Sequence, residues 1–153
     1  MKATRGTADW AYRCNPAGAT PAATRELLAN HNFLWRSLHS ATGRKVPSVQ
    51  LIEVGDTIHV YFTTDGADAY VGSYLVEQPT DRAELADRGV PALQAVSDGP
   101  LFEALQAAGY EKDPELGCFT GFRVKQDLYP RPLGRTPKWV ARNAIVRVKR
   151  DVP

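Results

Sequence analysis

The chain has 153 residues, of which 43% are hydrophobic and 24% are charged, and its formal net charge is +2. A single domain of this size buries enough apolar surface to fold without disulfides. No apolar run approaches the ~20 residues of a membrane-spanning helix, and the first ten residues carry no apolar segment typical of a secretory signal. We therefore expect one cytoplasmic domain over residues 1–153, with residues 1–8 as a flexible arm.

Cysteine and histidine positions bear on metal binding and on covalent chemistry. Cys14 and Cys118 lie far apart, so we expect both to be buried and reduced. His31, His39 and His59 have no spacing typical of metal ligands. The chain also lacks the nucleophile-elbow, phosphate-loop and zinc-protease motifs. We predict no metal, no cofactor and no catalytic residue.

Hydrophobic periodicity and turn residues give a succession of elements in chain order. Thr20 followed by Pro21 predicts a helix start. The predicted strands are 10–14, 48–54, 57–63, 70–76, 91–96, 118–125 and 139–149, and the predicted helices are 21–39 and 101–108. Strands outnumber helices, and the helices fall between them. This order predicts an α+β fold: a small curved sheet or β-barrel with two or three peripheral helices.

The clearest local pattern is a β-hairpin over residues 54–76. Ile58, Val60 and Phe62 alternate with polar or amphipathic residues, and Asp65-Gly66 supplies the turn. Gly72 lies in the middle of the second strand, where a missing side chain is favourable only if another group approaches closely. Before the first strand, Asp56 is expected to cap the turn at Gly55.

This hairpin resembles the central hairpin of the PUA-like superfamily, and it is most similar to EVE domains, with ASCH and YTH domains as relatives. The segment Trp10-Ala11-Tyr12 is similar to the Trp-bearing first strand of the family. The resemblance implies a small β-barrel with peripheral helices. The residues that carry the hairpin match are Gly55, Asp56, Tyr61, Phe62, Val71, Gly72 and Val76.

EVE and YTH domains hold a flipped, modified base between aromatic walls, so the resemblance implies a base pocket in this chain. Stacking on an aromatic returns about 1–3 kcal/mol per base, against the few kcal/mol that base extraction costs. By this resemblance Trp10 and Trp35 are the candidate walls, with Tyr12 beside them, and Asn32 and Ser37 are candidate edge-reading groups. The alternative for each aromatic is ordinary core packing.

Charge is unevenly distributed along the chain. From Arg123 onward there are nine basic residues and two acidic ones, a net of +7, whereas the first 122 residues carry −5. Such a contrast favours a polyanionic partner, DNA or RNA, although a solvated basic face balancing acidic neighbours gives the same count. The candidate phosphate-binding residues are Arg123, Arg142, Arg147 and Lys149.

The sequence-based hypothesis is a non-catalytic nucleic-acid-binding domain that recognises a modified base. A first alternative is an ASCH-like hydrolase of modified nucleosides, although residues 42–46 do not match the Gly-x-Lys-x-x-Thr-x-Arg motif of that family. A second alternative is a protein-interaction module of a bacterial defence or toxin–antitoxin system. That alternative predicts a contiguous exposed apolar patch instead of a basic surface.

Overall fold

The computed structural model describes residues 8–13, 20–39, 47–64, 67–79, 89–90, 92–128 and 145–148. These residues form an α+β fold, as predicted. The strands are β1 (Asp9–Arg13), β2 (Phe33–Trp35), β3 (Thr57–Thr64), β4 (Ala67–Val76), β5 (Leu93–Val96), β6 (Phe119–Gln126) and β7 (Ile145–Val148). The helices are α1 (Pro21–His31), α2 (Pro47–Leu51) and α3 (Gly99–Ala107). None of these helices is long and apolar enough to span a bilayer.

The seven strands form one mixed sheet. Its order is β2-β6-β4-β3-β1-β7, and β5 pairs with β6 beside this path. β1 runs parallel to β3, and all other described pairs are antiparallel. The sheet is strongly curved. The Tyr12 hydroxyl on β1 donates to the Trp35 carbonyl on β2 at 2.8 Å, although three strands lie between β1 and β2 in the sheet order. The described strands form a curved sheet that is not closed into a barrel.

Each face of the sheet carries its own apolar cluster, formed by strand side chains and the residues that pack on them. The inner face carries the larger cluster, which includes Trp10, Tyr12, Leu34, Ile58, Val60, Tyr74, Val76, Phe122 and Val124. The outer face carries a smaller cluster at one end, where Leu27 of α1 and Leu105 of α3 cover Phe33, Trp35 and Phe119. The two helices therefore cover only the β2-β5-β6 end of the outer face.

The predicted helix over residues 21–39 is wrong in its second half. α1 ends at His31, and Asn32 takes the left-handed conformation at φ 52°, which asparagine tolerates better than most residues. The chain then enters β2, where Leu34 faces the inner cluster and Trp35 the outer one. The apolar residues 33–35 fit the periodicity of a helix and that of a strand equally well. They form a strand because they pair with β6.

The predicted strand over residues 48–54 is also wrong. Residues 47–51 form α2, and Val49 and Ile52, three positions apart, are both buried in the inner cluster. The closing strand is shorter than predicted, since β7 spans Ile145–Val148 and residues 139–144 lie outside the described part of the chain. The other predicted elements agree with the structure to within three residues at each end.

A buried carboxylate joins the first strand to the hairpin. Asp56 accepts hydrogen bonds from the Ala8 amide (3.0 Å), the Trp10 indole N–H (2.9 Å) and the Glu53 amide (2.9 Å). Its own carbonyl accepts from the Val76 amide at 2.9 Å. The prediction that Asp56 caps the turn at Gly55 is confirmed, and the same side chain also fixes β1 against β3.

A second buried carboxylate fixes the segment after β2. Asp113 accepts from the backbone N–H and the ring Nδ1 of His39, and from the amides of Glu115 and Leu116. Burial alone would raise the pKa of Asp113, but these hydrogen bonds to its charged form outweigh burial and lower the pKa below its ordinary value. The ionised carboxylate therefore stabilises the folded chain.

Gly121 lies in β6 between β2 and β5, and a side chain there has no room. A Cβ at this position would overlap the Leu34 carbonyl oxygen and the Phe33 ring. We expect Gly121→Ala to lower the free energy of unfolding by about 3 kcal/mol or more in urea denaturation, because a backbone oxygen cannot move without breaking the β2–β6 pair. Gly72→Ala is the matched control, since its Cβ would meet only the tip of the Tyr74 ring, at 3.1 Å. Equal losses for the two variants would contradict this packing.

Asp113 makes stability depend on pH in a defined direction. Because its folded pKa is lowered, its contribution is present above the unfolded value of about 4 and is lost as the pH falls through the folded pKa. We expect the wild type to be more stable than Asp113→Asn near neutral pH, with the difference shrinking in acid. Urea denaturation at a series of pH values measures it, with exposed Glu115→Gln as control. A difference that stays constant into strong acid would contradict the assignment.

Candidate functional site

A β-bulge in the hairpin determines which side chains share the outer face. Val60 pairs with Gly72, but Tyr61 pairs with Tyr70, so Val71 is one extra residue in β4. In a regular strand, positions 70 and 73 point to opposite faces. The extra residue brings Tyr70 onto the same face as Ser73, where their hydroxyl groups are hydrogen-bonded.

Four side chains on this face form a continuous hydrogen-bonded series, which we term the polar chain: Asp9, His59, Ser73 and Tyr70. His59 Nε2 lies 2.9 Å from Asp9 Oδ1, and His59 Nδ1 lies 2.6 Å from Ser73 Oγ. His59 and Ser73 are each 1% exposed, whereas Tyr70 is 48% exposed. The polar chain thus leads from a buried carboxylate to a phenol at the surface.

The composition of the polar chain is that of a serine-hydrolase triad, but its arrangement is different. The serine Oγ is buried and is hydrogen-bonded on two sides, to His59 Nδ1 and to the Tyr70 hydroxyl. A nucleophile must reach its electrophile, and this hydroxyl is screened from solvent. The atom of the polar chain that can meet a ligand is therefore the Tyr70 phenol oxygen.

The surface end of the polar chain is aromatic and cationic. The Tyr61 and Tyr70 rings make an edge contact, with centroids 5.6 Å apart and planes inclined by 61°. Arg13 lies opposite Tyr61 in the β1–β3 register and is half-buried. Arg13, Tyr61 and Tyr70 thus form one row across three neighbouring strands, which we term the aromatic row.

Further cations lie on the same face of the next strand. Lys125 of β6 pairs with Leu75, which is two residues beyond Ser73 and so faces the same way. Arg123 precedes Lys125 by two residues on β6. Lys125 is exposed, and Arg123 and Asp127 are half-buried. Since these three residues alternate along the strand direction, this part of the outer face carries two cations and one carboxylate.

Tyr74 lies behind the site, on the inner face. Its ring approaches Gly72 so closely that a Cβ there would be 3.1 Å from the ring, which is the condition under which a glycine is favourable inside a strand. Burial raises the pKa of Tyr74, the nearby Tyr70 phenol raises it further, and Arg25 lowers it in part. Tyr74 is therefore a neutral core phenol at physiological pH.

The structure places the two tryptophans predicted to form a base pocket in the core, on opposite faces of the sheet. Trp10 and Trp35 are each 3% exposed and belong to different clusters. Trp10 donates its indole N–H to Asp56, and Trp35 donates to the Glu111 carbonyl at 2.8 Å. The ring of Trp35 contacts the Tyr110 ring at 5.5 Å.

The other predicted pocket residues are also apart from one another. Tyr12 is fully buried, and its hydroxyl donates a hydrogen bond to the Trp35 carbonyl. Ser37 is buried, whereas Asn32 is exposed at the end of α1. A groove of about 280 Å³ lies between α1 and α3 and is lined mainly by alanines. None of the five residues predicted to form the base pocket lines this groove.

The predicted phosphate-binding residues are separated as well. Arg123 lies on the outer face. Exposed Arg147 lies on β7 opposite Trp10, with its guanidinium carbon 5.8 Å from the indole centroid. Arg142, Lys149 and also Cys14 lie outside the described residues. Within the described ranges, no cluster of three or more His, Cys, Asp or Glu side chains could hold a metal ion.

The polar chain and its surface end were not predicted from the sequence. The sequence puts His59 in the predicted strand 57–63, but no local pattern connects Asp9, Ser73 and Tyr70 with it. Their positions depend on the β1–β3 pairing and on the bulge at Val71. The only sequence signal was the presence of two polar residues, His59 and Ser73, within the predicted hairpin.

Comparison of the chain with protein-family models, with curated proteins and with solved structures finds no match.

Proposed function

We propose that this chain is a non-catalytic domain that binds single-stranded nucleic acid on its outer face. The observation that carries the proposal is the aromatic row: an exposed tyrosine ring beside a second tyrosine, with an arginine at the end. Flat aromatic surfaces next to cations are the usual means by which proteins hold unpaired bases and their phosphates.

Stacking supplies the base contact in this proposal. Tyr70 is exposed over about half of its surface, and its hydroxyl is anchored to Ser73, so the ring loses little freedom when a base covers it. Each base that stacks on an aromatic side chain contributes about 1–3 kcal/mol, with little dependence on its identity. A rigid ring on a strand favours binding because its ordering cost is already met by folding.

Positive charge supplies the backbone contact. Lys125 and Arg123 lie on the same face as the aromatic row, and Arg13 is part of it. Arg123 and Lys125 lie at the start of the strongly basic part of the sequence, which carries +7 from residue 123 onward. Phosphate contacts of this kind release counterions, so the affinity should fall as the salt concentration rises.

Recognition of a modified base between Trp10 and Trp35 stays a separate prediction. In the structure both indoles pack in the core and donate their N–H groups to protein acceptors. Binding through Trp10 and Trp35 would require the core to open, whereas binding through Tyr70 requires no rearrangement. The proposal therefore assigns base contact to Tyr61 and Tyr70.

Anisotropy titrations with single-stranded DNA and RNA test the proposal. We expect Tyr70→Ala to weaken binding about 5- to 150-fold, the equivalent of one lost stacking contact, whereas Tyr70→Phe keeps the ring and should lose at most about three- to tenfold, the effect of one hydrogen bond. Lys125→Gln should reduce the slope of log K against log salt by about 0.7. Leu51→Ala, at an exposed position on α2, is the control.

Two results would contradict this proposal. The first is the absence of salt-dependent binding to any single-stranded DNA or RNA by the wild type. The second is binding that Tyr70→Ala leaves unchanged, because the aromatic row would then not be the contact surface.

A further inference from the structure

The hydrogen bonds of the polar chain all donate in the same direction. This direction determines whether the Tyr70 phenol accepts or donates a hydrogen bond when it meets a ligand. An ionised carboxylate accepts hydrogen bonds but donates none. Asp9 therefore requires a proton on the facing nitrogen of His59, which lies 2.9 Å away. In the neutral imidazole only one nitrogen carries a proton, so the nitrogen that faces Ser73 can only accept.

The remaining two bonds follow in sequence. Ser73 Oγ lies 2.6 Å from that accepting nitrogen, so the serine hydroxyl must donate its single proton to His59. Ser73 then has no proton for Tyr70 and can only accept from it. The Tyr70 O–H therefore points inward, and its oxygen presents lone pairs, but no proton, to a ligand.

Protonation of His59 reverses every bond of the series except the one to Asp9. The imidazolium donates from both nitrogens, so it donates to Ser73 as well as to Asp9. Ser73 then donates to the Tyr70 oxygen, and the phenol proton becomes available to the outside. Histidine side chains ordinarily change charge between about pH 5 and pH 8, so affinities measured on the two sides of this range test for the reversal.

We propose that Tyr70 is a specificity-determining residue whose phenol accepts a hydrogen bond from a base amino group while His59 is neutral, and donates to a base carbonyl once His59 is protonated. This inference rests on the proposed binding of single-stranded nucleic acid. It adds a preference for adenine-like bases in the neutral form and for bases with a carbonyl at the same position in the protonated form.

Among the described residues, the charged and titratable groups around His59 come from β1, from β4 and from the end of β6, where the Asp127 amide donates to the Ser73 carbonyl at 2.8 Å. β3 packs between β1 and β4. Asp9 from β1 and Ser73 from β4 contact His59 directly, and Tyr70 follows through Ser73. Arg13 and Tyr61 belong to the aromatic row, and Tyr61 follows His59 by two residues on the same face of β3.

The test compares short oligodeoxyadenylate with oligodeoxyinosinate of equal length, which differ at C6 by an amino group against a carbonyl. Anisotropy titrations in lithium buffer, at about pH 8.5 and about pH 5.5, measure the ratio of the two affinities. For the wild type we expect about a three- to tenfold preference for adenylate at the higher pH, the effect of one hydrogen bond, and a reversed preference at the lower pH.

Two variants assign the effect to the polar chain. Tyr70→Phe keeps the ring but removes the hydroxyl, so it should bind both oligonucleotides with similar affinity at both pH values. Ser73→Ala keeps the phenol but disconnects it from His59, so the preference should no longer change with pH. In the protein without nucleic acid, nitrogen-15 NMR of neutral His59 should show its unprotonated nitrogen on the side that faces Ser73.

The outcomes separate this inference from the proposed function. Binding without a base preference, or with a preference that Tyr70→Phe retains, overturns the inference and leaves the proposed function standing. An unprotonated His59 nitrogen on the Asp9 side also overturns it, with no nucleic acid involved. Absence of binding to both oligonucleotides overturns the proposed function and the inference together.

Discussion

One extra residue in β4 determines how the outer face of the sheet is built. With Val71 outside the regular ladder, Tyr70 and Ser73 come to the same face, and a half-exposed phenol is joined to a buried histidine. Without the bulge, Tyr70 would point to the inner face, where the apolar cluster lies. Bulges commonly re-aim a side chain next to functional sites, and here the bulge connects the buried polar chain to the surface.

The bulge can act in this way because the strands around it are held by buried carboxylates. Asp56 joins β1 to the start of the hairpin through two backbone amides and the Trp10 indole, and this fixes the β1–β3 register that brings Asp9 to His59. Asp113 holds the segment after β2 in the same manner. Buried acceptors that are fully hydrogen-bonded give the sheet one arrangement, since any shift would leave a charge unsatisfied.

Much of the fold could be predicted from the sequence, because alternation and turn residues are local signals. The hairpin, α3, β6 and the Asp56 cap were predicted on that basis and are present. The end of α1 was missed because Phe33-Leu34-Trp35 fits a helix and a strand equally well, and only pairing with β6 decides between them. Pairing between distant segments cannot be derived from a local pattern.

The site was harder to predict for the same reason. Aromatic residues in a core and in a pocket have the same sequence signature, and only burial separates Trp10 and Trp35 from exposed Tyr70. The polar chain combines three strands and a bulge, and none of its members belongs to a sequence motif. The basic character of the C-terminal third was visible, but the sequence could not assign its cations to faces of the sheet, and Arg123 and Arg147 lie on opposite ones.

The central claim is that nucleic acid binds to the aromatic row on the outer face. Amide chemical-shift mapping, with a short single-stranded oligonucleotide added to the full chain, tests it most directly. The account predicts the largest changes at Arg13, Tyr61, Tyr70 and Ser73, and no change at Val49 and Ile52 in the inner cluster. Changes confined to the groove between α1 and α3, or no changes at all, would contradict it.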